Sequence, residues 1–124
     1  MKRVPVTVLL GKTFSSVKEE KDKGRLVFSC ENGETYLMQH DQECCETVEL
    51  YDICGELSDL AGSPILQAEE ETESGGCDEY YSRTWTFYKF STIKGFVTLR
   101  WIGESNGYYS QSVELYSSKE EEEE

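Results

Sequence analysis

Arg83–Ile102 reads RTWTFYKFSTIKGFVTLRWI. Aromatic and β-branched residues alternate with polar ones on both sides of Lys94-Gly95, the pattern of two half-buried strands joined by a tight turn. A turn centred on Lys94-Gly95 predicts strands over 83–92 and 96–102. It sets Tyr88 opposite Trp101 and Phe90 opposite Leu99 on an aromatic-rich core face.

A second hairpin is predicted upstream. Arg25–Cys30 and Glu34–Gln39 flank Asn32-Gly33, the strongest short signal for a two-residue turn. That register pairs Phe28 with Leu37 and Leu26 with Gln39, so Leu26, Phe28 and Leu37 share a face. Further strands are expected over Val4–Leu10, Thr13–Val17, Thr47–Ile53, Pro64–Ala68 and Tyr108–Tyr116. In Thr47–Ile53, Val48, Leu50 and Asp52 alternate with Glu49, Tyr51 and Ile53. One short helix is placed at Gly55–Ala61, with Leu57 and Leu60 inward, Gly62 past its end and Pro64 beyond. The fold class is therefore α+β, mostly β: an antiparallel meander or barrel-like sheet with one short helix. At 124 residues the chain forms one β-rich domain over 1–118. An acidic loop is expected at 69–80, where EEETESGGCDEY shows no period, and a disordered acidic tail at 119–124.

The charge is unevenly placed. Leu26–Ser82 holds fifteen Asp and Glu and no Lys or Arg, within a net charge of −13. Such a chain attracts cations or a basic protein face and repels nucleic acid and anionic membrane. Two accounts of this acidity stand side by side. Charge keeps small domains soluble, or the carboxylates present a phosphate-like field to a nucleic-acid-binding protein. On the second account Glu69, Glu70, Glu71, Glu73, Asp78 and Glu79 are the partner-binding residues, and the partner is basic. No apolar run approaches a membrane span and Val6–Leu10 is too short for a signal peptide core, so a cytoplasmic location is expected.

The five cysteines are Cys30, Cys44, Cys45, Cys54 and Cys77. An odd count without an export signal is read as free thiols. A metal site could be drawn from His40, Cys44 and Cys54, but the spacing is poor, and adjacent cysteines in extended chain point to opposite faces. A catalytic Cys–His pair is disfavoured because the surrounding acids would raise a thiol pKa. There is no EF-hand, phosphate-binding loop or nucleophile-elbow pattern. No cofactor and no enzymatic activity are expected. Trp85, Phe87, Tyr88 and Phe90 resemble a base-stacking platform, but without a basic groove they are assigned to the core.

Three segments carry a resemblance: His40–Glu46 (HDQECCE), Tyr51–Leu66 (YDICGELSDLAGSPIL) and Thr84–Tyr109 (TWTFYKFSTIKGFVTLRWIGESNGYY). Together they are similar to a family of small domains of unknown function found in phage and prophage genomes, over about Leu10 to Leu115. The resemblance implies a small accessory protein made in a host cell; analogy with other small acidic phage proteins adds the expectation that it inhibits a host or defence nucleoprotein. It brings no catalytic residue or cofactor. The alternative readings are a metal-binding protein using the His40–Cys54 segment and a phage structural or assembly accessory.

Overall fold

The computed structural model describes residues 2–78, 81–105 and 110–118, except the side chains of 75–78 and 81. Among the described residues, nine strands form two antiparallel sheets. The first has the order β1 (Lys2–Val4), β9 (Glu114–Ser117), β4 (Thr35–Gln39), β3 (Arg25–Cys30), β2 (Phe14–Glu20). The second has the order β5 (Thr47–Cys54), β8 (Gly95–Ser105), β7 (Tyr81–Thr92), β6 (Gln67–Asp78). The sheets do not close into a barrel. Their inner faces share one core, in which Phe28 of the first sheet meets Phe90 of the second at 6.0 Å between ring centroids.

The central hairpin turns one residue earlier than its sequence suggests. Thr92 pairs with Gly95, so Ile93-Lys94 is the turn, and Tyr88 lies opposite Leu99 and Phe90 opposite Val97. Each cross-strand partner is displaced by two residues, which leaves the faces unchanged because side chains alternate with a period of two. Tyr88, Phe90, Leu99 and Trp101 are accordingly all buried.

The Asn32-Gly33 hairpin differs more. A two-residue turn of the expected kind needs positive φ at both central residues, and only Gly33 has it, at +96°. The chain instead makes a three-residue turn, Glu31–Gly33, closed by Gly33 N–H to Cys30 O and Cys30 N–H to Glu34 O. Phe28 then pairs with Tyr36 and Val27 with Leu37. A one-residue slip reverses a strand's faces: Tyr36 and Met38 enter the core, and Leu37 does not.

Three further expectations are corrected. Val4–Leu10 is not one strand: β1 ends before Pro5, and Val6–Leu9 is a 3₁₀ turn burying Val6 and Leu9, three apart. The Gly55–Ala61 helix is a single 3₁₀ turn, Leu57–Leu60, with Leu60 buried and Gly62 at φ +85° beyond it. The acidic stretch expected as a loop is strand β6 as far as Asp78. Glu79, Tyr80 and the 119–124 tail lie outside the described residues. No helix among the described residues is long and apolar enough to cross a membrane.

Candidate partner-binding face

Strand β6 has almost nothing to bury: QAEEETES offers one alanine to the core. It is extended because β7 supplies a ladder, pairing from Gln67 with Ser91 to Gly75 with Arg83. Partner context overrides the weak strand preference of glutamate. Glu69, Glu70, Glu71 and Glu73 are all exposed. Glu69, Glu71 and Glu73 sit at alternate positions, about 6.8 Å apart on the outer face. Glu71 forms an exposed ion pair with Lys89 at 2.8 Å. Glu70 faces the other way. Desolvation, and then repulsion from Glu114, raise its carboxyl above the ordinary value. Asp78 belongs to the strand through its backbone pairing with Tyr81.

The outer face beside these acids is aromatic. Trp85 and Phe87 stand on β7 next to Glu73 and Glu71, with near-parallel rings 6.1 Å apart. Of the four aromatics expected in the core, alternation along β7 puts only Tyr88 and Phe90 inside. A bulge in β5 between Leu50 and Asp52 adds Tyr51, whose ring meets Trp85 edge-on at 5.2 Å. The bulge also resets the expected alternation, so that Leu50 and Ile53 both pack on the core. Arg100, opposite Phe87, lies over the Tyr51 ring at 5.5 Å. It also donates both Nε, at 2.6 Å, and a terminal nitrogen to Asp52. That forked pair holds the Asp52 carboxyl below its ordinary range. Trp, Tyr and Arg are the residues that carry most of the energy in protein interfaces.

The His40–Cys54 segment is organised around a different centre. Glu46 is buried, and its carboxylate accepts the N–H groups of Glu43 at 2.8 Å and Cys44 at 2.9 Å. His40 contributes Nε2 at 2.7 Å from Glu46 Oε2, while its Nδ1 lies 2.6 Å from the Ser112 carbonyl oxygen. Both partners are acceptors, so the two bonds form together only when both ring nitrogens carry protons. This knot ties the 41–46 loop to the segment before β9. Glu46 was missed as a structural residue, because a carboxylate's burial leaves no periodic trace in a loop.

The three sequence-derived metal candidates are not brought together. Both nitrogens of His40 are engaged, Cys44 is joined to Cys45 in a disulfide, and Cys54 is an exposed thiol at the end of β5. Among the described residues no three His, Cys, Asp or Glu side chains are grouped to hold a metal ion. The bond between Cys44 and Cys45 also corrects the expectation of five free thiols. The 41–46 loop is curled around the Glu46 carboxylate, so the opposite-face rule for extended chain does not apply to it. Thiol titration of denatured, unreduced protein is expected to label no more than three of the five cysteines. A count of five would contradict the disulfide.

Burial pushes the Glu46 carboxyl up, but the hydrogen bonds from His40, Glu43 and Cys44 outweigh it and lower the pKa from 4.5 to about 2. A folded value below the unfolded one makes the contribution to stability complete above pH 4.5. It is lost as pH falls from there toward about 2. In acid unfolding, Glu46→Gln is expected to be less stable at neutral pH and to lose less stability across that window. Parallel curves for the two proteins would remove this role.

Fold and face together define a small two-sheet β domain with an acidic outermost strand beside an aromatic face. The chain belongs to the DUF7448 family, a domain of unknown function, whose pattern it matches over residues 7–115. No curated protein and no solved structure matches it.

Proposed function

We propose that this domain is a non-enzymatic acidic binding protein that engages a basic, nucleic-acid-binding protein through β6 and the adjoining face. The observation that carries the reading is the exposure of Glu69, Glu70, Glu71 and Glu73 along an outermost strand with no base of its own. Alternate carboxylates on an extended backbone form a regular line of charge, fixed in place by the ladder to β7. Trp85, Tyr51 and Arg100 beside that line supply area that a partner can desolvate. Charge draws the partner in quickly, and the aromatic face retains it.

The wider setting follows from the phage-family resemblance: an accessory or counter-defence protein of the host-cell cytoplasm, acting as a nucleic-acid mimic. The test is competition. A basic partner bound to the immobilised domain is expected to be released by duplex DNA and by raised salt. A partner held equally well in the presence of excess DNA would exclude mimicry. In that case the β6 acids serve to protect a sheet edge from pairing with other chains.

A further inference from the structure

Cys44 and Cys45 are bonded to each other, and both are exposed. The bond closes a small ring around the peptide between them and so fixes the backbone there. The same loop is held from inside. Glu46 accepts the Cys44 N–H at 2.9 Å, and the Gln42 side-chain amide donates to the carbonyl oxygens of Glu46 at 2.5 Å and Cys44 at 3.3 Å. Its outer ties run to β9 and the segment before it. His40 bridges Glu46 to the Ser112 carbonyl, and the Tyr116 hydroxyl donates to Asp41. Ser112, with Gln111 and Val113, lines a cleft of about 250 Å³ whose lining also includes Glu70 and Thr72 of β6. An exposed covalent bond therefore stands at one end of a hydrogen-bonded chain, and a cleft beside β6 at the other.

We propose that Cys44 and Cys45 form a reversible dithiol–disulfide site, a redox clasp whose state sets how firmly the 41–46 loop holds the 110–113 segment. Exposed disulfides are the ones that exchange readily with thiols. The reductant is a dithiol. Its thiolate attacks one sulfur of the pair, the S–S bond breaks, and the electron pair leaves on the other sulfur, which takes up a proton. The second thiol of the reductant then displaces the remaining cysteine from the mixed disulfide. The protein gains two electrons and two protons, and the reductant departs as a cyclic disulfide. Reduction opens the ring and frees the backbone at Cys44, whose N–H Glu46 holds. Keeping the Glu43 and Cys44 N–H groups on that carboxylate then costs more conformational entropy, and the clasp loosens. The fold stays intact, because neither cysteine belongs to the core.

The test compares protein oxidised with glutathione disulfide, the same protein reduced with dithiothreitol, and the double variant Cys44→Ser/Cys45→Ser, in which the ring cannot close. Alkylation followed by peptide mass analysis is expected to label both Cys44 and Cys45 in the reduced protein and neither in the oxidised one. Amide hydrogen exchange, read by ¹⁵N NMR, is expected to quicken about ten-fold at Glu43 and Cys44 on reduction. The amide resonances of Ser112 and Val113 should move with it, while those of Phe90 and Leu99 stay in place. The double variant should match the reduced protein at Glu43, Ser112 and Val113, and reoxidation of the native chain should restore the first state. Thiols at Cys44 and Cys45 that remain open to alkylation after oxidation would overturn the site. Equal exchange at Glu43 and Cys44 in both states, with Ser112 and Val113 unmoved, would overturn the clasp.

Discussion

Phe28→Ala and Phe90→Ala are each expected to destabilise the protein by about 3–5 kcal/mol, the range for emptying a fully buried aromatic site. The two rings come from different sheets and meet edge-to-face at 6.0 Å. Phe28 is also in contact with Phe14, at 5.4 Å. The double variant should therefore cost less than the sum of the singles. The difference should be about 0.5–1.5 kcal/mol, the coupling of an aromatic pair. Urea unfolding of the four proteins measures it. Strictly additive costs would mean that the sheets do not meet through these rings. Leu99→Ala, on the same inner face of the second sheet, should cost about 2–5 kcal/mol.

Reversing Glu69, Glu70, Glu71 and Glu73 together to lysine is expected to weaken binding of a basic partner about a hundred-fold or more. Single exposed charges contribute little, and the effect is collective. The fold should survive, because these side chains are exposed and the β6–β7 ladder is made by backbone. The local cost falls at positions 69 and 71, where the reversal sets lysines against Lys89, the cross-strand partner of Glu69 and the ion-pair partner of Glu71. An unchanged thermal midpoint combined with lost binding is the expected pair of results. Retained binding would place recognition elsewhere on the molecule.

The parity of the faces was legible in the sequence where apolar residues alternate without interruption. Tyr88, Phe90, Leu99 and Trp101 were correctly placed in the core although their pairing was displaced, because a displacement of two preserves parity. Leu37 was misplaced because Asn32-Gly33 admits both a two- and a three-residue turn, and these differ by one residue in register. The β5 bulge was invisible for a similar reason: one extra residue at Tyr51 reverses the alternation midway along the strand. Between Glu69 and Gly76 strand β6 carries no apolar residue. Its extended state is set by β7, a contact that composition does not encode.

The candidate surface was read with the same mixture. The acids of β6 were singled out as partner-binding residues, although as a loop and not as a rigid outer strand. Trp85 and Phe87 were hidden because the sequence reading placed four neighbouring aromatics in one core. Their alternation on β7 separates two buried rings from two outward ones. The Glu46 knot drew attention only through its lone histidine and paired cysteines, which suggested a metal site. Chemistry of that kind needs open donor atoms, and His40 and Cys44 have already committed theirs.

The most direct test of the proposed function is the salt dependence of partner affinity. From about 50 to 500 mM salt the Debye length falls from roughly 14 to 4 Å. Recognition by a line of exposed carboxylates should fade over that interval. The dissociation constant of a basic nucleic-acid-binding partner is predicted to rise by orders of magnitude across this range for the native protein. For the four-fold lysine variant the dependence should be shallow or reversed. An affinity that ignores both salt and the charge reversal would contradict the account and leave the acidity of β6 as protection of a sheet edge.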